Sequence, residues 1–274
     1  MIQKYINYLS NVRGYSANTA SSYEKDLRNF VSWLKKNEPG VRWSLITRTV
    51  IDRYVQDMAE KGLKPATSNR RLAAISGIFN YFKREGLLSE NPCRYESRRK
   101  VAKKMPNTIP TEELKEAYLN TTGVTKLMIG LLTTTGIRVQ EMLDLDWSDI
   151  DFKSAALRVH GKGGKDRIVY TSEEILTDLA NVKKYLQPSG KLFYLTQRDV
   201  RYKLYSALKQ YSQAKQLSPH AIRHTFATNL AKNEVSATTI QALLGHSDIK
   251  TTQRYIDMSQ SNTKRAAQTF NILK

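Results

Sequence analysis

A chain of 274 residues is long enough for two domains, each with its own core, and 40% hydrophobic with 25% charged residues is a globular composition. Its 44 Lys+Arg against 25 Asp+Glu leave a formal charge of +19, whose self-repulsion a polyanion relieves: nucleic acid is the first candidate, an anionic membrane surface the second. No apolar run nears the roughly 20 residues of a membrane span, MIQKYINYLS is too polar for a signal peptide, and one cysteine excludes an internal disulfide and a cysteine-rich zinc site.

The excess charge is shared along the chain. Residues through 103 hold 20 Lys+Arg and 9 Asp+Glu, and the remainder hold 24 and 16. This distribution suits a protein that grips a duplex with both halves better than one with a basic tail.

The first part reads as helices. Ile2, Tyr5, Ile6 and Leu9 keep a 3.6-residue period up to Gly14. Ser16 is a candidate N-cap for a longer helix with Ala20, Tyr23, Leu27, Phe30, Val31 and Leu34 on one face, stopped by Pro39-Gly40. Thr49 is the candidate cap of a third helix through Val50, Tyr54, Val55 and Met58. A fourth, from about Thr67, turns Leu72, Ile75, Ile78, Phe79 and Phe82 inward and ends at Gly86. Four such helices make a small bundle over residues 1–92. The stretch ENPCRYESRRKVAKKMP reads as a basic interdomain linker, 93–106. Its Arg94, Arg98, Arg99, Lys100, Lys103 and Lys104, with Arg70 and Arg71 of the fourth helix, are the candidate phosphate contacts.

The second domain, 107–274, starts with a helix at Thr111-Glu112-Glu113, whose acidic first turn suits the helix dipole. VTKLMIGLLTTTG is apolar nearly all round and reads as a buried helix. Arg138 follows it, either salt-bridged to Glu141 at i+3 or kept for an anion. LRVHGKGGKDRIVYT has the pattern of a β-hairpin around a Gly-rich turn. That turn is no nucleotide P-loop, since it joins two strands, but it presents Lys162 and Lys165. Helices are expected around 173–186 and 199–213, with a short strand at Leu192–Leu195 between them, then near 219–232 and 236–244. Ser218-Pro219 starts the helix SPHAIRHTFATNL and places His220 and Arg223 on one face near its positive end, where an anion is welcome. LLGHSDIKTTQRYI then sets His246 and Tyr255 nine residues apart in a polar segment. The expected fold is mainly α with a small antiparallel β-sheet.

Each of these features is weak alone. In this order, TGIRVQEML, HGKGGKDR, SPHAIRHTFAT and LLGHSDIKTTQRY resemble the complete active-site signature of the tyrosine recombinase/integrase family. The resemblance covers nearly the whole chain. RGYSANTASSYEKDLRNF and NRRLAAISGIFNYFKREGLLSENP are similar to that family's N-terminal core-binding domain, and residues from about 107 onward to its catalytic domain. Departures are small: Asn229 stands where relatives often carry a histidine, and Tyr170-Thr171 replaces a common Pro-containing strand end.

The resemblance implies a SAM-like four-helix domain and a mixed α/β catalytic domain forming a clamp around DNA. It also implies strand cleavage through a covalent 3′-phosphotyrosyl intermediate, without metal or other cofactor. Tyr255 is then the nucleophile, Arg138 and Arg223 fork onto the non-bridging oxygens, His220 is the base, and His246 donates to the phosphate. Lys162 is the general acid, Lys165 the fallback, and Glu141 orients its neighbours. Thr251 and Thr252 are candidate caps for a short helix carrying Tyr255, and the tail after it is expected to dock on a neighbouring protomer. Implied partners are double-stranded DNA with paired half-sites, a homotetramer on two sites, and a Holliday junction between them; a partner recombinase or accessory protein is compatible with this. No membrane is involved, and a cytoplasmic, nucleoid-associated location follows. Because the resemblance begins almost at Met1, an added arm-binding domain is not expected, which favours a Xer-like recombinase or a compact mobile-element integrase. Type IB topoisomerase-like relaxation and a non-catalytic DNA-binding accessory protein are the rival functions.

Overall fold

The computed structural model of the chain describes residues 1–93, 98–101, 106–161, 164–186, 189–245, 252–253 and 255–256. It divides into two compact units, Met1–Lys103 and Lys104–Lys274.

The first unit is a helical bundle of α1 (Ile2–Asn11), α2 (Ala17–Asn37), α3 (Arg48–Glu60) and α4 (Pro65–Arg84), with a 3₁₀ turn at Trp43–Leu45. The Ser16 hydroxyl accepts from the Thr19 N–H and caps α2, as its position in the sequence suggests. The cap of α3 is Thr47 and α4 starts on Pro65, each two residues earlier than the apolar period indicates. Proline fits this first position because the N–H it lacks has no helical partner there. Leu27, Phe30, Ile51, Leu72, Ile75, Ile78 and Phe79 form a fully buried centre.

Three of the candidate phosphate contacts also have partners within this unit. Asp26 lies buried on α2 and pairs with Arg70, and Arg71 reaches the same carboxylate at 3.8 Å and the Tyr54 hydroxyl at 3.4 Å. Burial raises the Asp26 pKa above the usual carboxylate value, although Arg70 and Arg71 oppose it. Arg99 donates to the Leu63 carbonyl at 2.8 Å and to the Ser68 hydroxyl at 3.2 Å, and Asn69 holds its backbone on both sides. Cys93 is buried in the core of the bundle, so it belongs to this unit and not to a solvated linker. Of the candidate phosphate contacts, Arg70, Arg98 and Lys100 are exposed. Arg94, Lys103 and Lys104 lie outside the described residues.

The second unit begins with α5 (Thr111–Asn120), α6 (Gly123–Thr135) and α7 (Val139–Asp144). A 3₁₀ turn (Trp147–Asp149) and the strands β1 (Ile150–Asp151), β2 (Ala156–Val159) and β3 (Arg167–Tyr170) follow. Then come α8 (Glu173–Leu186), α9 (Gln197–Leu208), α10 (Pro219–Lys232) and α11 (Ala237–Leu244). The sheet is antiparallel in the order β1-β2-β3, with Leu157 opposite Val169 and Val159 opposite Arg167. This register turns Leu157, Val159 and Val169 inward and leaves Ile168 and Tyr170 exposed. The expected strand at 192–195 is absent: its neighbourhood contributes only a single bridge, Asp146 to Lys191, while Phe193 plugs the core. β1 escaped notice because two residues carry no readable alternation.

Helix α6 is the hub. Met128, Ile129, Leu131 and Leu132 are fully buried, and α5, α8, α9 and α10 pack around it. It ends on Gly136, whose φ of 62° is left-handed and whose missing side chain makes room for the Phe226 ring. Asn229, the departure noted in the sequence, donates to the Thr111 hydroxyl and ties α10 to α5. Among the described residues no helix is long and apolar enough to cross a membrane.

Helix α10 carries His220 and Arg223, and its start rests on Ser218, whose hydroxyl accepts from the Ala221 N–H at 3.2 Å. Ser218→Ala should therefore cost about 1 kcal/mol. Denaturant unfolding measures it; an unchanged midpoint would refute the cap's role.

Candidate active site

The site is built from the ends of four elements of the second unit. Arg138 is the N-cap residue of α7, directly after the left-handed turn that ends α6. Its backbone N–H donates to Glu141 Oε2 at 2.8 Å and its Nη1 to Oε1 at 2.7 Å. The salt bridge considered from the sequence is thus present, and it does not consume the guanidinium: Nη2 reaches across to the Gly245 carbonyl at 3.0 Å.

Arg223, one turn into α10, is only 5% exposed. It donates from Nη1 to the Gly136 carbonyl and from Nη2 to the Leu244 carbonyl, both at 2.7 Å. Burial, then repulsion from Arg138 and Arg167, lowers its pKa to about 10. That value leaves it charged at neutral pH.

Arg167, which sequence reasoning passed over, opens β3 and completes the group. Its Nη1 and Nη2 meet the two oxygens of Glu141 at 3.1 and 2.8 Å, and its Nε donates to the Leu243 carbonyl at 2.8 Å. Burial alone would push the Glu141 carboxyl up. The hydrogen bonds from Arg167 and from the Arg138 backbone and side chain outweigh it, and the pKa falls to about 2. Arg138 and Arg167 thus share one carboxylate while Arg223 is held by carbonyls, an excess of positive charge at the end of α11.

His220 is exposed at the start of α10. Partial burial of its ring, then Arg223, Arg201 and Arg138, lower its pKa below the ordinary imidazole value. The ring is therefore neutral at neutral pH and able to accept a proton. Tyr255 lies in an apolar cluster of the same unit. Its phenol is 2% exposed, packs with Ala227, Ala231, Ile240 and Leu244, and shares a 2.7 Å hydrogen bond with His224 Nδ1. The imidazole that touches the phenol is His224 and not His220. The i+4 spacing from His220 places His224 farther along the helix, and no pattern in the sequence marks it as a partner for Tyr255.

The hairpin turn has its own fastening. His160, at the end of β2, bonds Asp149 through Nε2 at 3.1 Å and Asp166 through Nδ1 at 3.0 Å. The bond to Asp149, followed by that to Asp166, raises its pKa. Lys165 is exposed in this turn. Lys162, His246, Thr251 and the tail after Ile256 lie outside the described residues. Thr252 is buried within helical backbone, so it is not the cap of the segment that carries Tyr255.

Residues 108–262 match the phage integrase family, and residues 2–86 match the phage integrase N-terminal SAM-like domain. Tyrosine recombinase XerC of Bacillus pumilus is 32% identical, with 97% of this chain and 94% of that protein covered. Tyrosine recombinase XerD of Oceanobacillus iheyensis is 30% identical over 98% of this chain and 97% of its own. Among solved structures, the XerH site-specific recombinase bound to palindromic difH substrate in a post-cleavage complex superposes with a TM-score of 0.77 at 19% identity, covering 97% of this chain and 84% of that one. The Tn1549 transposon integrase with circular intermediate DNA gives a TM-score of 0.75 at 20% identity, covering 97% and 98%. The chain belongs to the phage integrase family and is a tyrosine recombinase, an enzyme of site-specific DNA recombination.

Proposed function

We propose that the chain cleaves and rejoins DNA strands at paired half-sites through a 3′-phosphotyrosyl intermediate, with Tyr255 as nucleophile. The observation that carries this reading is the convergence of Arg138, Arg167 and Arg223 on the last carbonyls of α11, with the single carboxylate of Glu141 shared by the first two. A phosphodiester repels nucleophiles, and its pentavalent transition state carries still more negative charge. Preorganised guanidiniums in a partly buried corner stabilise that charge without reorganising.

In the cleavage step the Tyr255 oxygen bonds to phosphorus, the bond to the 5′ oxygen breaks, and that oxygen leaves as a hydroxyl. His220 takes the phenolic proton; Lys162 or Lys165 supplies the proton to the leaving oxygen, and His246 donates to the phosphate. The new ester keeps the energy of the old linkage, so a free 5′ hydroxyl on the same or another strand reverses the step. Four protomers on two sites, passing through a Holliday junction, turn two such exchanges into recombination. Arg98 and Lys100, with Arg94, Lys103 and Lys104, supply phosphate contacts outside the site.

The burial of Tyr255 against His224 supports a resting state in which the nucleophile is withheld until the complex assembles. The phenol must leave its apolar cluster to reach a phosphate on the arginines, and His224 is the group that holds it back.

Three measurements test this reading. On a nicked suicide duplex the wild-type protein forms a covalent DNA adduct and Tyr255→Phe forms none; an adduct with the phenylalanine variant would refute the assignment. The rate of adduct formation rises as His220 loses its proton. Because its pKa is lowered, the acid limb of the profile lies below pH ~6.5, and His220→Gln abolishes that limb; a midpoint above this value would count against His220 as base. His224→Leu should raise nicking by isolated protomers about 10-fold, since a hydrogen bond to the buried phenol is worth on the order of 1 kcal/mol. A fall in rate would instead make His224 the base.

A further inference from the structure

The C-terminal turn of α11 is held in an unusual way. Its last carbonyls, Leu243, Leu244 and Gly245, are taken in succession by Arg167, Arg223 and Arg138, at 2.8, 2.7 and 3.0 Å. The three donors come from β3, α10 and the N-cap of α7. A helix C-terminus is the negative end of its dipole, so three cations there are electrostatically matched. Two of the three are the guanidiniums proposed to face the phosphate. The third is engaged otherwise: Arg167 uses both terminal nitrogens of its fork on the Glu141 carboxylate and its Nε on the backbone.

We propose that Arg167 is a positioning residue for strand cleavage: it locks the β2–β3 hairpin to Glu141 and to the turn of α11, and thereby fixes Arg138 and Arg223 relative to each other. This rests on the cleavage reading above and assigns it a residue that never touches DNA. Three observations converge on it. Glu141 Oε1 accepts from both Arg138 Nη1 and Arg167 Nη1, so the orientation of one guanidinium is set against the other. The guanidinium lies flat against Gly245: a β-carbon there would fall 2.8 Å from Nη1 and 3.0 Å from Cζ. Gly245, with φ 63°, is therefore required both by its left-handed turn and by the arginine packed on it. Finally, Arg167 sits in strand pairing with Val159, so it ties β2 as well as β3 to the same cluster.

A lysine cannot replace this group, because an ammonium is a point charge and cannot span two carboxylate oxygens and a carbonyl on separate elements. The test uses the full chain and a nicked duplex carrying the sequence that it protects from nuclease. With Arg167→Lys, adduct formation at saturating DNA should slow about 100-fold, the effect of misplacing a catalytic group by about 1 Å, while the DNA dissociation constant moves less than about 3-fold. Gly245→Ala leaves every charge in place and sets a methyl group where the guanidinium lies. It should show the same split of rate from affinity, and it decides the matter if the lysine variant is insoluble. Rate and affinity falling together would assign Arg167 to general scaffolding and overturn the proposal, as would a rate within about 3-fold of wild type in either variant. Failure of the wild-type protein to form any adduct would instead overturn the cleavage reading on which the proposal stands.

Discussion

Three guanidiniums gathered at the end of α11 repel one another, and the rest of the second unit can be read as the means of keeping them there. The buried Arg223 alone would be costly, since a charge removed from water needs partners of good geometry. It receives them as backbone carbonyls, Gly136 at the end of α6 and Leu244 at the end of α11. Carbonyl dipoles hold the cation without neutralising it, whereas a second carboxylate would have cancelled the charge that a phosphate must feel. Glu141 serves the two less buried arginines, and its four hydrogen bonds keep it ionised far below neutral pH. The corner thus keeps a positive excess in rigid form, the arrangement in which electrostatic stabilisation needs no reorganisation during reaction.

The fold follows from this need. Helix ends and a strand start converge at one place because their backbone groups are the ligands: α6 ends there in a left-handed turn, α7 begins there, and α11 ends there. Helix α6 is buried nearly all round because four helices must be fixed around it for those ends to coincide. Packing that looks like ordinary core is, on this account, what sets the separation of two guanidiniums on different helices.

The sequence disclosed the α-helices of the bundle and of the second unit well, because each carries an apolar face at a 3.6-residue period and most end on glycine. It also disclosed the pairing of Arg138 with Glu141, because the two stand at i and i+3. What it concealed has a common physical cause. Arg167 stands in a strand of four residues, where one half-buried arginine looks like any outward-facing polar position. Asp26 hides in a helix whose pattern makes a charged residue look solvated, although it is buried and paired with the exposed Arg70. His224 looks like a core histidine one position beyond Arg223, and its bond to Tyr255 depends on a fold-back of 31 residues. In each case the partner is remote in sequence, and periodicity records only which face is apolar.

If Tyr255 is the nucleophile proposed above, its burial has an energetic side. The Tyr255 phenol leaves an apolar cluster and a hydrogen bond when it moves to the arginines. Exposing a large buried side chain costs about 1.5–3 kcal/mol, and the lost hydrogen bond adds about 1 kcal/mol. Together these give roughly 3 kcal/mol, a bias of about 100-fold toward the stored state at 1.4 kcal/mol per decade. Such a bias suppresses stray cleavage by a lone protomer, yet it is small beside the binding energy of a protein–DNA interface. A much deeper store would tax every turnover, and a shallower one would leave a reactive phenol beside its cations. The contacts around Tyr255 therefore set a threshold of the size that assembly on DNA can overcome, while the arginine corner stays fixed throughout.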